Sequence, residues 1–163
     1  PISKEELMML TFHPFDQSTV DALRAGGPDI HGQPAERVIS DGKGKPCRSC
    51  LNDVPEGAEM LICAARPFPE PQPYAETGPI FLCADHCLPY AEDTLPPVLQ
   101  TSPNYLLKAY SADHRIVYGT GQVTDSAQIV DYANTLLDMD IVAFVDVRSA
   151  RNNCFLTRIV ETS

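Results

Sequence analysis

Basic side chains are scarce in this sequence, and tryptophan is absent. Lysine and arginine total 12 against 22 aspartate and glutamate residues, so the formal net charge is −10. A protein that binds the phosphate backbone of nucleic acid needs a dense basic surface, and anionic lipid selects the same kind of surface. The composition therefore argues against nucleic acid and against a membrane surface as binding partners.

Long apolar runs and secretion signals are also lacking. No stretch approaches the roughly 20 apolar residues of a membrane-spanning helix. The first residues carry neither the basic region nor the apolar region of a secretory signal. Six cysteines in 163 residues are far fewer than a disulfide-dense scaffold uses. We therefore expect a cytoplasmic protein whose cysteines are thiols or metal ligands.

The length and the apolar content fit one globular domain. The chain has 163 residues, of which 44% are hydrophobic and 21% are charged. A chain of this length can bury a sizeable core, whereas two domains would be cramped. Patterned sequence begins near residue 9. We predict a leading segment at residues 1–8 and a single domain over residues 9–163.

Proline is absent after Pro103 but dense before it. Nine of the fifteen prolines lie between Pro67 and Pro103. Proline fixes φ and lacks an N–H, so this middle segment is predicted to be irregular. The last sixty residues are free of this restriction and are predicted to form regular structure.

Hydrophobic periodicity predicts an α+β domain with a mostly antiparallel sheet. One principal helix is expected at about residues 125–138, capped by Asp125 or Ser126, and Ser18 is expected to cap a short earlier helix. If the strands on either side of the principal helix are parallel neighbours, the sheet is mixed. The predicted strands are Leu7–Phe12, Glu36–Ile39, Glu59–Ala65, Pro79–Leu82, Tyr105–Tyr110, Arg115–Tyr118, Ile141–Val147 and Cys154–Val160.

Four cysteines are grouped in two pairs. Cys47 and Cys50 form a C-x-x-C, and Cys83 and Cys87 enclose His86 directly after a predicted strand. Two turns that each present a pair of ligands are the usual way to build a structural zinc site. Cys83 lies 33 positions after Cys50, and this distance and the C-x-x-x-C spacing are both longer than in common zinc fingers. The competing interpretation, which this spacing favours, makes Cys83 a small core side chain and leaves Cys47 and Cys50 as loop thiols.

Arginine lies beside cysteine at two places in this acidic chain. Arg48 adjoins Cys47, and Arg148 and Arg151 precede Cys154. A guanidinium matches a carboxylate or phosphate and favours ionisation of a nearby thiol. Ordinary ion pairs with the many carboxylates are the alternative explanation for these arginines.

Four short elements of the sequence are distinctive when taken together: Pro46-Cys47-Arg48-x-Cys50, Pro73 to Leu82, Lys108-Ala109-Tyr110 and Asn153-Cys154-Phe155. They resemble a bacterial family known as domain of unknown function 1203, and the resemblance runs from about Met9 to the C-terminus. It brings no activity, cofactor or partner. Many relatives have His at the position of Cys83. Because His is also a metal ligand, this exchange favours zinc. Many relatives also have Arg at the position of Lys108. Some relatives lack the partner of Cys47, which instead favours Cys47 with Arg48 as the functional pair.

Three functions stay open, and none predicts an oligomeric state. The favoured one is a binding module for a small anionic molecule or peptide end, without a cofactor, through a pocket of Arg48, Tyr74, Arg148 and Arg151. The second is a thiol enzyme with Cys47 or Cys154 as nucleophile and His86 as base. The third is a zinc-stabilised interaction domain that uses Cys47, Cys50, Cys83 and Cys87, with His86 as a substitute ligand.

Overall fold

The computed structural model describes residues 10–162, and the predicted leading segment at residues 1–8 lies outside them. The described residues form an α+β fold with antiparallel strands, as predicted, but the strands are arranged in two sheets rather than in one. The strands are β1 Leu10–His13, β2 Glu36–Ile39, β3 Glu59–Ala65, β4 Gly78–Cys83, β5 Asn104–Tyr110, β6 Gln122–Asp125, β7 Phe144–Ser149 and β8 Phe155–Glu161. The helices are α1 Gln17–Arg24 and α2 Ile129–Leu137, with 3-10 turns at Pro97–Leu99 and Ser126–Gln128.

The described chain divides into two compact units. One comprises residues 14–90 and is called the three-stranded unit below, and the other comprises residues 10–13 with 91–162 and is called the five-stranded unit. The single domain over residues 9–163 and the cytoplasmic location stay predictions. Neither α-helix among the described residues has the length and apolar character that a bilayer crossing requires.

The five-stranded unit is built on the order β1-β8-β7-β5-β6, with antiparallel pairing throughout. The central strand β7 is buried from Phe144 to Arg148, which explains the nearly continuous apolar run in its sequence. Its first residues differ from the prediction, because residues 141–143 precede the strand and Ile141 is 60% exposed. The helix α2 is anchored by Ile129, Ala133 and Leu136, which are buried.

The principal helix lies where the pattern predicts it, but its predicted caps are wrong. Residues 126–128 form a 3-10 turn, and the α-helix begins after Gln128, whose side chain makes no capping bond. The Ser126 hydroxyl instead donates a hydrogen bond to the carbonyl of Leu99. The helix start is therefore set by contacts with a preceding segment rather than by a local cap.

The predicted strand at Arg115–Tyr118 is wrong, because β6 at Gln122–Asp125 pairs with β5 instead. The segment at residues 115–118 meets β5 only through an isolated bridge between Tyr110 and Ile116. Next to it, the Thr120 hydroxyl accepts the Ala109 N–H at 3.0 Å and so takes the place of a ladder bond. The ladder resumes only two residues later.

This pairing also shows that the alternative of a mixed sheet is wrong. Both β6 and β7 run antiparallel to β5, which lies between them. The strands on either side of α2 are therefore parallel but not neighbours, and every ladder between named strands is antiparallel.

The three-stranded unit has the order β2-β3-β4, again antiparallel. The predictions of β2 and β3 are confirmed to the residue, and β4 is one residue longer at each end than predicted. No strand or helix is assigned to residues 66–77, in agreement with the predicted irregular proline-rich segment. The core of this unit consists of Val20, Leu23, Cys47, Val54, Met60, Leu61, Cys63, Ala65, Ile80, Leu82 and Ala84.

Helix α1 begins two residues earlier than a Ser18 cap would place it. Asp16 is the cap, and its carboxylate accepts the Thr19 N–H at 3.1 Å. The Ser18 hydroxyl donates to the same carboxylate. Val20 and Leu23 are buried, so the helix packs into the core of the three-stranded unit and brings its last residue, Arg24, to the edge of that core.

Candidate metal centre

The C-x-x-C segment forms a tight hairpin. An antiparallel bridge joins Pro46 to Asp53, and the Cys47 N–H donates to the carbonyl of Asn52 at 2.9 Å. Leu51, which follows Cys50, closes the turn with a φ of 56°, in the left-handed region. Its N–H donates to the Cys47 carbonyl at 3.0 Å. A left-handed residue at this point costs about 1 kcal/mol or more, and its fully buried side chain offsets that strain.

The second cysteine pair is brought to this hairpin by β4. Cys47 forms a parallel bridge with Phe81, and the Arg48 N–H donates to the Phe81 carbonyl at 3.0 Å. Cys83 is the last residue of β4, two residues beyond Phe81, and Cys87 follows it in the next turn. The main-chain pairing of the hairpin with β4 therefore places both cysteine pairs at one end of the three-stranded sheet.

The four sulfur atoms converge. Four Sγ atoms lie within 4.8 Å of one another, those of Cys47, Cys50, Cys83 and Cys87. The distance between the Sγ atoms of Cys47 and Cys87 is 3.8 Å. A tetrahedron of sulfurs each about 2.3 Å from a central zinc ion has edges of about 3.8 Å. Disulfide bonding requires about 2.05 Å, and all six cysteines are free. Four sulfurs this close together could hold one metal ion.

Main-chain amides are already directed at one of the sulfurs. The Sγ of Cys47 accepts the N–H of Ser49 at 3.4 Å and the N–H of Cys83 at 3.3 Å. Cys47 is fully buried, while Cys50, Cys83 and Cys87 are partly exposed. Amide donors stabilise a thiolate, which is the form that binds metal.

The four thiols also shift one another's pKa values. Hydrogen bonding with Cys50 and then Cys83 lowers the pKa of Cys47 to about 6, although burial opposes this change. The pKa of Cys87 is lowered by hydrogen bonds from the other three cysteines, whereas those of Cys50 and Cys83 are raised, in each case first by Cys47. The cluster can therefore hold negative charge at neutral pH, as a cation site requires.

Arg24 contacts the cluster and was not among the residues that the sequence predicted. Its Nη2 donates to the Sγ of Cys87 at 3.0 Å, and its Nε donates to the carbonyl of Cys83 at 3.0 Å. It lies about sixty residues earlier in the chain, so spacing gives no signal for it. Its position as the basic residue in the last turn of α1 is visible in the sequence, but that explains a helix end rather than a site.

The remaining cysteines and His86 differ from this cluster. Cys63 is buried within the core, and burial raises the pKa of its thiol to about 11. Cys154 is partly exposed in the five-stranded unit, where its thiol donates to the carbonyl of Asn152. His86 is exposed on the turn between Cys83 and Cys87 and is not one of the four clustered ligands. Cys83 packs against the core and also joins the cluster, so the two interpretations of this residue are compatible.

The four residues of the predicted anion pocket lie in different units. Arg48 and Tyr74 belong to the three-stranded unit, and Arg148 and Arg151 belong to the five-stranded unit. Arg48 is 3% exposed, lies 5.6 Å from the Phe81 ring centre and donates to the Pro46 carbonyl. Arg148 is 4% exposed and donates to the Asn153 carbonyl at 2.9 Å. The pocket stays a prediction, as does the use of Cys47 or Cys154 as a nucleophile with His86.

Comparison with known proteins gives a family and nothing more specific. The family model described as "Protein of unknown function (DUF1203)" matches residues 44–160, well over half of the chain and including all four clustered cysteines. Neither a curated protein nor a solved structure matches the chain.

Proposed function

Since the chain belongs to the DUF1203 family, which brings no activity with it, we propose a function from the cysteine cluster alone: this protein is a zinc-stabilised domain. Cys47, Cys50, Cys83 and Cys87 would bind one Zn²⁺ through their thiolates. The observation that carries the proposal is the mutual approach of four free sulfurs within 4.8 Å. The 3.8 Å between the sulfurs of Cys47 and Cys87 also agrees with the edge length of a zinc tetrahedron.

Four protein thiolates favour a structural ion over a catalytic one. Catalytic zinc keeps one position open for water or substrate, whereas a four-cysteine site is closed. Cys47 is fully buried, so access to the ion is further restricted from that side. Sulfur ligands in a tetrahedral arrangement suit zinc and also iron. We propose zinc because the closed tetrathiolate is its ordinary structural site, and iron is an outcome that the experiment below distinguishes.

The local architecture supports a stabilising role for the ion. Most of residues 14–90 lie outside helices and strands, and the C-x-x-C hairpin meets β4 through a single bridge. An ion bound to both cysteine pairs would join the hairpin, β4 and the following turn at one point. Metal-binding free energy then becomes folding free energy for this unit. The proposal includes a role for this domain in binding another molecule, and it names no partner.

Titration with Co²⁺ tests the proposal directly. We expect one equivalent to bind the reduced, metal-free protein with the intense sulfur-to-cobalt charge-transfer absorption of a tetrathiolate, and one equivalent of Zn²⁺ to displace it. Cys50→Ser and Cys87→Ser should each remove or shift this absorption. Cys63→Ala and Cys154→Ser are matched controls, because both cysteines lie outside the cluster, and they should leave it unchanged.

Two results would contradict this function. One is the absence of stoichiometric cobalt binding in the reduced wild-type protein, and the other is binding that persists unchanged when Cys50 and Cys87 are replaced. Protein that purifies with a reddish iron chromophore instead of zinc would overturn the choice of ion.

A further inference from the structure

We propose that Arg24 is a positioning residue of the metal centre, which couples metal binding to the docking of helix α1. This inference rests on the proposed function and extends it beyond the four ligands. Arg24 makes a hydrogen bond to each residue of the second cysteine pair. Its Nη2 donates to the Sγ of Cys87, and its Nε donates to the carbonyl of Cys83, each at 3.0 Å.

The charge of the centre gives the first argument. A divalent ion with four thiolates carries a net charge of about −2. Such a charge is costly in a partly buried place unless a cation or hydrogen-bond donors face it. Arg24 supplies both from one side chain. Its Nη1 is buried and makes no hydrogen bond within the described residues, and an anionic centre beside it would offset the cost of burying that donor.

The shape of the side chain gives the second argument. The guanidinium is a planar fork that can donate to a sulfur and a carbonyl oxygen at once, whereas a lysine ammonium is a single point of charge. The two acceptors of Arg24 belong to residues four positions apart in one turn, Cys83 and Cys87. Holding both would fix the geometry of that turn, much as partners of metal ligands commonly fix ligand orientation.

The position of Arg24 in the chain links the centre to the helix. Val20 and Leu23 anchor α1 in the core, and Arg24 is the last residue of the helix. The carbonyl of Arg24 accepts a hydrogen bond at 3.0 Å from Arg37, which lies on β2 and pairs with Glu59. The centre is thus connected through one residue to α1 and, through Arg37, to the edge strand. Binding of the ion should therefore order the end of α1.

The experiment compares Arg24→Lys and Arg24→Met with the wild-type chain and with the control Arg66→Met. Arg66 lies in the same unit, and its side chain donates to the carbonyls of Phe68 and Pro69. Zinc affinity is measured by competition with a chromophoric chelator, and amide hydrogen exchange is measured with and without zinc. The cobalt charge-transfer spectrum of each variant reports the geometry of the sulfurs.

Arg24→Met should still bind one zinc ion, but about 10- to 100-fold more weakly, as is typical when a partner of a metal ligand is removed. Zinc should protect the amides at residues 17–24 in the wild type and no longer do so in this variant. Protection of the C-x-x-C hairpin at residues 46–53 should remain. Arg24→Lys should fall between the two, because it keeps the charge and loses the fork. Arg66→Met should resemble the wild type.

The failure of this inference is distinguishable from the failure of the zinc function. If the wild type binds no zinc, the proposed function fails, and the role of Arg24 fails with it. If the wild type binds zinc through the four cysteines and Arg24→Met matches it within twofold, only the role of Arg24 is overturned. It is also overturned if Arg24→Met lowers zinc affinity only together with general loss of protection in β3, since Arg24 would then act on the core.

Discussion

The two units of this chain reach order by different means. The five-stranded unit has a continuous antiparallel sheet, a helix on three buried apolar anchors and a fully buried carboxylate, Asp146, that Arg158 binds through two hydrogen bonds. The three-stranded unit has a smaller sheet, and most of its residues are irregular. Regular strands satisfy their own main-chain polar groups, whereas irregular segments must find partners individually.

In the three-stranded unit, main-chain groups of irregular segments bond to side chains that are near in sequence and to the sulfur cluster. The hydroxyl of Ser40 donates to the Val54 carbonyl at 2.8 Å and accepts the Gly42 N–H at 2.9 Å. Gly42 has a φ of 78°, and a Cβ there would lie 2.9 Å from the Cβ of Glu56. Such contacts fix one loop at a time. The cluster of four cysteines joins the hairpin at residues 46–53 to the segment after β4, which is distant in sequence, so a bound ion should matter far more here than in the five-stranded unit.

Removal of the metal should produce the largest effect and should be confined to one unit. Structural zinc supplies about 10–16 kcal/mol of apparent binding free energy in zinc-finger peptides at neutral pH. A strong chelator, or Cys87→Ser, should therefore increase amide exchange sharply at residues 46–53 and 83–87 and leave β5, β7 and β8 protected. Cys154→Ser is the control. Equal loss of protection in both units, or no loss in either, would contradict the contrast.

Loss of the buried carboxylate should affect the other unit. Asp146 is 0% exposed, and its Oδ1 lies 2.7 Å from the Nε of Arg158. Asp146→Asn leaves a largely buried guanidinium without its anion, which typically costs about 3–5 kcal/mol. Denaturant unfolding should show this loss while zinc stoichiometry stays unchanged. The control Asp113→Asn removes an exposed ion pair with Arg115 and should cost less than about 1 kcal/mol. A similar cost for both variants would show that burial of the pair is unimportant.

Replacement of Leu51 tests how much apolar burial contributes beside the metal. Leu51→Gly relieves a left-handed backbone, a gain of about 1 kcal/mol, but removes a fully buried side chain, which typically costs about 2–5 kcal/mol. We expect a net loss of about 1–4 kcal/mol in denaturant unfolding of the zinc-loaded protein. Increased stability would mean that strain in the hairpin outweighs packing around it.

The smallest effect concerns pH. Burial, and then the charge of Arg158, lowers the pKa of His13 at the end of β1. A histidine with a lowered pKa in the folded state contributes stability above its ordinary pKa of 6.5, and this contribution is lost as pH falls through the lowered value. His13→Gln should therefore reduce the decline in melting temperature between pH 7.5 and pH 5 by a few degrees at most. An unchanged decline would show that His13 does not contribute to it.

The strands that sequence pattern predicts best are those bounded by local signals. β2 and β3 are flanked by glycine, proline and polar residues, so their bounds follow from nearest neighbours although neither strand alternates regularly. β6 was missed because the Thr120 hydroxyl takes the Ala109 N–H and displaces the ladder along the chain. A hydroxyl that replaces a main-chain partner cannot be seen in the hydrophobic periodicity of the sequence.

The same distinction applies to the site. Each cysteine pair is visible as a local motif, but their convergence depends on the bridge between Cys47 and Phe81, which spacing alone does not indicate. The 32 residues between Cys50 and Cys83 exceed common finger spacings because they contain β3 and the proline-rich segment. Arg24 approaches from a helix that the sequence places correctly, yet nothing local connects that helix with Cys83 or Cys87.

X-ray absorption at the zinc edge, on protein purified without chelator, tests the central claim most directly. The account predicts about one zinc ion per chain with four sulfur neighbours at about 2.3 Å. In the Cys50→Ser variant, any zinc that remains bound should have three sulfur neighbours. A first shell of nitrogen and oxygen in the wild type, or a chain that carries no zinc while its six cysteines are fully reduced, would contradict it.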